Sequence, residues 1–365
     1  GVHDVITGQE LAAAVEPWMN GLNTPEVKRY AMATDRIRYC GEWVAAVVAD
    51  TRAIAEDAAE LVEIETEPLD FVLDAEQAYR SDSTPVHEAH GSNVLLDRTF
   101  TWGPVDQHFA ECAQELSFRV TWGRSSTVPI ETFGVVASWD AWRNTLDVWA
   151  SIQMPKYPDQ IARALRMPMN MVRVHQDVDV GGSYGVKRGI KHTVLAGYIS
   201  RKLNRPIRLI EDRLENMRAG DAHGPDRIFD VSVAYNDDGL IKSMKMRALD
   251  TVGGYAGRAP FQLGKPIGAI VGPYRIESAQ YHAVSVTTNK AVQEAVRGFG
   301  QSPTNYAIET AIDRVAEALD LDRIEVRKRN FIRSDEFPYL IPSGTRYDSG
   351  DYHAVADKVL AEVNW

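Results

Sequence analysis

The feature that most constrains the fold is a glycine-rich turn between a predicted strand and a predicted helix. It comprises Asp179-Val180-Gly181-Gly182-Ser183-Tyr184-Gly185-Val186-Lys187. Val172 to His175 before it read as a strand, and apolar residues from Ile190 to Leu203 recur at helical spacing after it. Such a turn can direct backbone N–H groups at an anion or an oxo group beside a helix N-terminus. On residue type alone, a purely structural turn fits equally well.

The first part of the chain predicts a small α/β unit over residues 1–80. An apolar run at 43–49 indicates a strand, the helical spacing after it a helix, and the alternation at 62–67 a second strand. The Ser, Asp, Thr and Pro cluster at 81–85 predicts that residues 81–125 are a connector.

Residues 126–350 are predicted to form one large α/β body with mixed strands. The alternation at 229–235, the turn at 236–239 and a strand from Leu240 indicate a β-hairpin. Since 365 residues exceed one typical core, we predict an α/β fold (α+β, mixed sheets) of several domains, with residues 351–365 starting one completed elsewhere. Further strands are predicted near 116–122, 135–139 and 146–151, and helices near 302–319 and 354–363.

Composition excludes several classes of function. The 40 Lys and Arg residues against 51 Asp and Glu residues give a net charge of −11 without a basic run, so we expect no nucleic-acid partner. No segment has the ~20 apolar residues that span a bilayer, and the first residues lack a signal pattern, so we expect a cytoplasmic protein without membrane insertion.

Several familiar sites are also missing from the sequence. Cys40 and Cys112 lie far apart and cannot hold an iron–sulfur cluster by themselves. The chain has no HExxH, no GxSxG, and neither of the two common glycine motifs for nucleotides.

Three further segments carry candidate site residues. A second turn, Arg297-Gly298-Phe299-Gly300, precedes a predicted helix, so Arg297 could hold an anion and Phe299 could stack on a planar ligand. Gln153 follows a predicted strand and could offer its amide, and Glu131 could be a partly buried carboxylate with a raised pKa. Each also fits a structural or surface role.

In this order, the motifs resemble the large subunit of the molybdenum hydroxylases, the group of xanthine oxidase, aldehyde oxidoreductase and aerobic carbon monoxide dehydrogenase. Residues 1–75, with Tyr39-Cys40-Gly41-Glu42-Trp43, are similar to the family's α/β hammerhead domain. The remainder, including Pro129-Ile130-Glu131, Glu211-Asp212-Arg213-Leu214-Glu215 and Arg329-Asn330-Phe331, is similar to the first half of its molybdopterin-binding region.

The resemblance implies site residues and a cofactor. It implies molybdenum on molybdopterin, in the cytosine dinucleotide form, with no side chain of this chain ligating the metal directly. The residues implied to bind the cofactor are Gln153, Gly182, Ser183, Tyr184, Gly185, Arg297 and Gly298. Those implied to line the substrate pocket are Tyr184, Arg188 and Phe299.

Departures from the family pattern narrow the class of substrate that we expect. Ser183-Tyr184 replaces the usual Gly-Phe, and Arg188 stands where xanthine-type members have a substrate-binding Glu, which disfavours purines. Gly298 stands where carbon monoxide dehydrogenases have the Cys that holds copper. The family's catalytic base, a Glu in Gly-x-Gly-Glu, is expected outside this chain.

Two functional hypotheses follow. In the first, the chain is part of a hydroxylase that acts on an electron-poor C–H of an N-heterocycle, aromatic aldehyde or ketone with oxygen from water. Its partners would be an Fe–S subunit with [2Fe–2S] clusters, an FAD subunit and the C-terminal half of the large subunit. In the second, the chain is a non-catalytic assembly module; a carbon monoxide dehydrogenase-like enzyme that lacks the copper-binding Cys is a further alternative. We favour the enzyme because Gln153 and both glycine turns are retained together.

Overall fold

The computed structural model describes residues 1–18, 22, 24–176, 179–219 and 221–365. Its N-terminal unit pairs strand β1 (Val2–Thr7) antiparallel with β2 (Ala45–Ala49). Helix α1 (Gly8–Ala14) starts at an N-terminal cap in which the Thr7 hydroxyl accepts from the Glu10 N–H. Helix α2 (Arg52–Ala59) follows β2, which confirms the predicted strand and helix.

The strand predicted at 62–67 is wrong. Residues 62–74 form no ladder with any residue that the structure describes, and the side chains of Ile64 and Phe71 are exposed. Alternating side chains show that a segment can be a strand, but a strand also needs a neighbouring backbone with free N–H and C=O groups. A short helix, α3 (Ala75–Tyr79), follows this extended segment.

A five-stranded sheet forms the centre of the larger body. In it, β3 (Val94–Trp102) and β4 (Gln114–Trp122) are the two edges, and the strand order is β3-β11-β10-β9-β4. The inner strands are β9 (Arg227–Tyr235), β10 (Ile241–Gly253) and β11 (Ser278–Thr287). Strands β9 and β10 form the predicted antiparallel hairpin, whereas β10 and β11 run parallel. Residues 81–125, predicted as a connector, therefore contain both edge strands.

A second, four-stranded sheet also lies within residues 126–350. Its order is β7-β6-β5-β8, and only β6 and β7 run parallel. The strands are β5 (Gly134–Asp140), β6 (Thr145–Ala150), β7 (Val172–His175) and β8 (Ile207–Ile210). Each sheet has its own apolar core, because each must cover a different face.

Helices cover the two sheets. Two of them, α5 (Tyr157–Ala164) and α6 (Lys191–Leu203), pack on the four-stranded sheet, and Ile6 and Leu11 of the N-terminal unit join that core. The remaining helices are α4 (Val105–Glu111), α7 (Arg213–Arg218), α8 (Ala259–Gly264), α9 (Gln301–Ala318), α10 (Arg323–Asn330) and α11 (Tyr352–Val363). A two-residue ladder joins β12 (Tyr339–Leu340) and β13 (Arg346–Tyr347). Over the described residues, no helix is long and apolar enough to cross a membrane.

A buried ion-pair cluster links the N-terminal unit to the body. The Arg29 guanidinium lies 2.6 Å from an Asp221 oxygen and 2.5 Å from a Glu294 oxygen. All three side chains are at least nine-tenths buried. Although burial acts to lower the pKa of Arg29, the two carboxylates outweigh it and raise that pKa. Because two carboxylates neutralise Arg29, its burial is tolerated. The ion pairs also connect Arg29 to Asp221 and Glu294, which line the same cavity, described below.

Candidate functional site

The glycine turn after β7 is held against the segment that precedes α9. Tyr184 has φ of +55° and Gly185 has φ of +123°, a conformation that favours glycine. A Cβ atom on Gly185 would lie 2.0 Å from the Ala295 carbonyl oxygen. Only glycine therefore allows the two backbones to approach this closely, and this contact brings the two predicted turns together.

Gln153 is fixed by the same turn. Its Oε1 accepts from the Gly185 N–H at 3.1 Å and from the Ser183 hydroxyl, and its own N–H donates to the Lys187 carbonyl at 3.1 Å. The Lys187 N–H donates to the Ser183 hydroxyl oxygen at 3.1 Å. The hydroxyl that replaces the family's glycine thus orients Gln153, and the Gly185 N–H is used by Gln153.

Several donors on this face remain free. Gln153 is exposed, and its Nε2 has no acceptor among the residues that the structure describes. The N–H groups of Gly182, Ser183 and Tyr184 also donate to no described residue, and the same holds for Arg297 and Gly298 in the second turn. A cluster of exposed donors without acceptors suits oxo and phosphate oxygens. These residues therefore fit a molybdopterin cofactor.

The second turn faces the first through its arginine. The Arg297 guanidinium carbon lies 5.5 Å from the centre of the Tyr184 ring, a cation–π contact between the turns. Gly298, Phe299 and Gly300 all have positive φ, and a Cβ on Gly300 would lie 1.8 Å from the Gln262 carbonyl oxygen. The turn is therefore tightly folded against α8.

Gln262, which the sequence did not single out, supports the second turn. It is fully buried on α8, donates from Nε2 to the Glu294 carbonyl at 2.7 Å, and accepts from the Val296 N–H at 3.3 Å. A buried amide that satisfies two backbone groups fixes the path of the chain entering the turn. Its sequence neighbours gave no signal of this role, since Gln262 lies more than thirty residues before the turn.

Glu131 has a role different from the one predicted. It pairs with the Lys187 ammonium, and its Oε2 accepts from the Gly181 N–H at 3.0 Å. Although partial burial acts to raise the pKa of Glu131, these two contacts outweigh it and lower that pKa. The predicted raised pKa is wrong, and the carboxylate anchors the start of the glycine turn.

Arg188 lies apart from the two aromatic residues predicted to share its pocket. It lines a cavity of about 350 Å³ that also borders Arg258, Gly189 and Ile190. Tyr184 and Phe299 do not line that cavity. The turns thus bring Tyr184 to Arg297, while Arg188, directly after the glycine turn, lines a separate cavity.

Known protein families match both parts of the chain. Residues 86–331 match the family of the molybdopterin cofactor-binding domain. Residues 1–70 match the aldehyde oxidase and xanthine dehydrogenase a/b hammerhead domain. The chain belongs to the xanthine dehydrogenase family of molybdenum hydroxylases. This confirms the resemblance and the predicted succession of hammerhead and cofactor-binding domains.

Individual members of this molybdenum hydroxylase family are similar over the whole chain. The carbon monoxide dehydrogenase large chain of Hydrogenophaga pseudoflava is 32% identical, covering 100% of this chain and 47% of that protein. The nicotine 6-hydroxylase large subunit of Paenarthrobacter nicotinovorans is 30% identical, covering 100% and 45%. The crystal structure of quinoline 2-oxidoreductase from Pseudomonas putida 86 matches with a TM-score of 0.90 at 29% identity, covering 100% and 47%. The chain therefore spans about half the length of these relatives.

Proposed function

We propose that this chain is the N-terminal half of a molybdenum hydroxylase large subunit and forms one wall of its molybdopterin site. The observation that carries the proposal is the face of free donors formed by Gln153 and the two glycine turns. The cofactor, in its cytosine dinucleotide form, would accept two electrons from a substrate C–H while oxygen from water enters the product.

The residues of this chain would bind and orient rather than transfer protons. The Gln153 Nε2 and the N–H groups of Gly182 to Tyr184 would donate to oxygens of the cofactor, and Arg297 would add positive charge beside them. Ser183 would hold the Gln153 amide with its donor outward. The general base, a glutamate, and the rest of the site would come from the C-terminal half of the large subunit.

The substrate class proposed is an N-heterocycle, an aromatic aldehyde or an aryl ketone. Nicotine and quinoline, named for two of the relatives, are N-heterocycles. Gly298 has no side chain to ligate copper, so carbon monoxide is disfavoured even though a relative is a carbon monoxide dehydrogenase. Tyr184 and Phe299 would provide aromatic surface beside the two turns. Arg188, which lines the separate cavity, would bring a positive charge and not the acceptor that a purine needs.

Electrons would leave through [2Fe–2S] clusters and FAD on partner subunits. Each turnover releases two electrons and two protons when one water oxygen replaces a C–H hydrogen. Cys40 is exposed and Cys112 lies in another part of the fold, so this chain offers no cysteine cluster for iron.

The proposal is tested by measuring the molybdenum content and the substrate oxidation of the purified native complex. Elemental analysis should give molybdenum at near one equivalent per large subunit, and dye reduction should be faster with quinoline or benzaldehyde than with carbon monoxide or xanthine. Less than about a tenth of an equivalent of molybdenum in a complex that lacks activity would favour the assembly module instead. Rapid turnover of carbon monoxide or xanthine would contradict the substrate class.

A further inference from the structure

The chain on either side of Glu131 is fixed to the body of the fold. The Arg213 guanidinium on α7 donates to the Pro129 carbonyl at 2.6 Å and to the Ile130 carbonyl at 2.9 Å. After Glu131, the Thr132 hydroxyl donates at 2.8 Å to the backbone carbonyl two residues before α7. Because both neighbours are held, the Glu131 side chain starts from a fixed point of the backbone.

From that point, Glu131 contacts both ends of the glycine turn. Its Oε2 accepts from the Gly181 N–H at 3.0 Å, and its Oε1 pairs with the Lys187 ammonium. A Cβ atom on Gly181 would lie 2.7 Å from the Glu131 Cβ, so the start of the turn lies directly against this side chain. One carboxylate therefore ties the first residue of the segment 181–187 to the last.

The free donors of the turn lie between these two ends. The N–H groups of Gly182, Ser183 and Tyr184 donate to no residue that the structure describes. At the end of the turn, the Lys187 N–H donates to the Ser183 hydroxyl, which in turn holds Gln153. A turn that must be ordered when a ligand binds loses affinity through the entropy of that ordering. The fixed ends of the turn should therefore contribute to the affinity for oxygen atoms of a ligand.

The charges of Glu131 and Lys187 cancel at this place. A lone carboxylate beside a face that binds oxygen anions would repel the ligand. The Lys187 side chain is only 1% exposed, and Glu131 is the carboxylate with which its ammonium pairs among the described residues. A buried ammonium without that partner would be unfavourable. The pair thus fixes the shape of the turn without adding a net charge to it.

We propose that Glu131 is a positioning residue of the molybdopterin site: through its hydrogen bond to the Gly181 N–H, with Lys187 as its counter-ion, it holds the turn in the shape that retains the cofactor. Glu131 acts through the turn and is not a catalytic residue. The assignment rests on the proposed function and adds a residue that supports the free donors. The experiment separates it from a different role, in which the Lys187 charge itself attracts the cofactor.

The experiment compares two double variants of the intact complex. Glu131→Gln with Lys187→Met keeps a side-chain oxygen that can accept from the Gly181 N–H, whereas Glu131→Ala with Lys187→Met has none. Both lack the lysine, so neither leaves a buried ammonium unpaired. Loaded complexes are incubated and desalted at intervals, and the molybdenum that remains on each large subunit is measured by elemental analysis. We expect the alanine double variant to lose molybdenum about 3- to 10-fold faster than the glutamine double variant, which should match the wild type.

Two further measurements distinguish positioning from general stability. Urea unfolding midpoints of the two double variants should agree, whereas hydrogen exchange of peptides covering 181–187 should be faster in the alanine double variant. Glu277→Gln is the matched control, because Glu277 is 48% exposed, against 41% for Glu131, and also pairs with a lysine, Lys242. Its ion pair includes no residue of either turn, so molybdenum retention and exchange at 181–187 should stay at the wild-type rates.

The outcomes separate this inference from the proposed function. If the wild type contains molybdenum and both double variants lose it at one rate, the role of Glu131 is refuted and the function stands. A common fast rate would assign retention to the Lys187 charge, and a common wild-type rate would show that neither residue matters. A wild-type complex without molybdenum would refute the function and the cofactor role together, while the exchange rates would still show whether Glu131 holds the turn.

Discussion

Replacing Gly185 with alanine should separate the two glycine turns. Its φ of +123° costs an L-residue about 1–3 kcal/mol. The new Cβ would also lie 2.0 Å from the Ala295 carbonyl oxygen, whereas ordinary contact begins at 3.4 Å, and relieving such overpacking costs a further ~1–3 kcal/mol. Together these terms lower the free energy of opening the turn by about 2–6 kcal/mol. Gln153 would lose its donor at Gly185, so molybdenum content should fall as well.

Hydrogen exchange followed by mass spectrometry on the intact complex measures this opening locally. Peptides that cover residues 181–187 and 295–300 should exchange at least about 30-fold faster in Gly185→Ala than in the wild type. The control is Gly344→Ala, whose glycine also has positive φ, +91°, but has no heavy atom within 4 Å of the added Cβ. The control should leave both peptides unchanged. Unchanged exchange in Gly185→Ala would refute the close contact of the turns.

Three further changes test other contacts. Ser183→Ala should lower kcat about 5-fold, because Gln153 would lose a hydrogen bond that contributes about 1 kcal/mol to holding its amide in place. An unchanged kcat would contradict this role. Asp221→Asn should cost about 3–5 kcal/mol in urea unfolding, since Arg29 would lose a buried partner; a loss under 1 kcal/mol would show that the pair is dispensable. Burial acts to raise the pKa of Glu211, but His192, 2.6 Å away, outweighs it and helps lower that pKa to about 2. Because a lowered pKa stabilises the fold above the ordinary value of 4.5, Glu211→Gln should be about 3 kcal/mol less stable at pH 7, and the difference should disappear as the pH falls toward 2; a constant difference would contradict the pairing.

The spacing of apolar and turn residues correctly predicted the elements whose contacts are made between neighbours along the chain. The hairpin of β9 and β10, the apolar stripe of α6 and the helix start before α9 lie where the periodicity placed them. In each of these, neighbours along the chain supply the contacts, so spacing alone contains the information. The alternation at 62–67 predicted a strand that does not form. A strand needs hydrogen bonds to a neighbouring strand, and the spacing of residues cannot show whether one is there.

The sequence predicted individual residues of the candidate site but not which distant segments come into contact. The glycines and Gln153 stand out in the sequence, but the contact between Gly185 and Ala295 joins residues 110 positions apart. Gln262 carries no motif, and its importance comes from the two backbone groups with which its buried amide forms hydrogen bonds. Such roles arise from tertiary packing, which sequence reasoning on one chain does not reach.

The strand order of the central sheet has a consequence for synthesis of the chain. Both edges, β3 and β4, leave the ribosome before any of the three strands that lie between them, and the last of these, β11, ends at Thr287. At about 5–20 residues per second, the ribosome needs roughly ten to thirty seconds to make the residues between Trp122 and Thr287. Strand β4 waits for β9, which ends at Tyr235, and β3 waits for β11 throughout that interval. Exposed strand edges promote aggregation. Production of this protein should therefore depend on chaperones that shield nascent strands, and slower synthesis at lower temperature will not by itself remove the hazard.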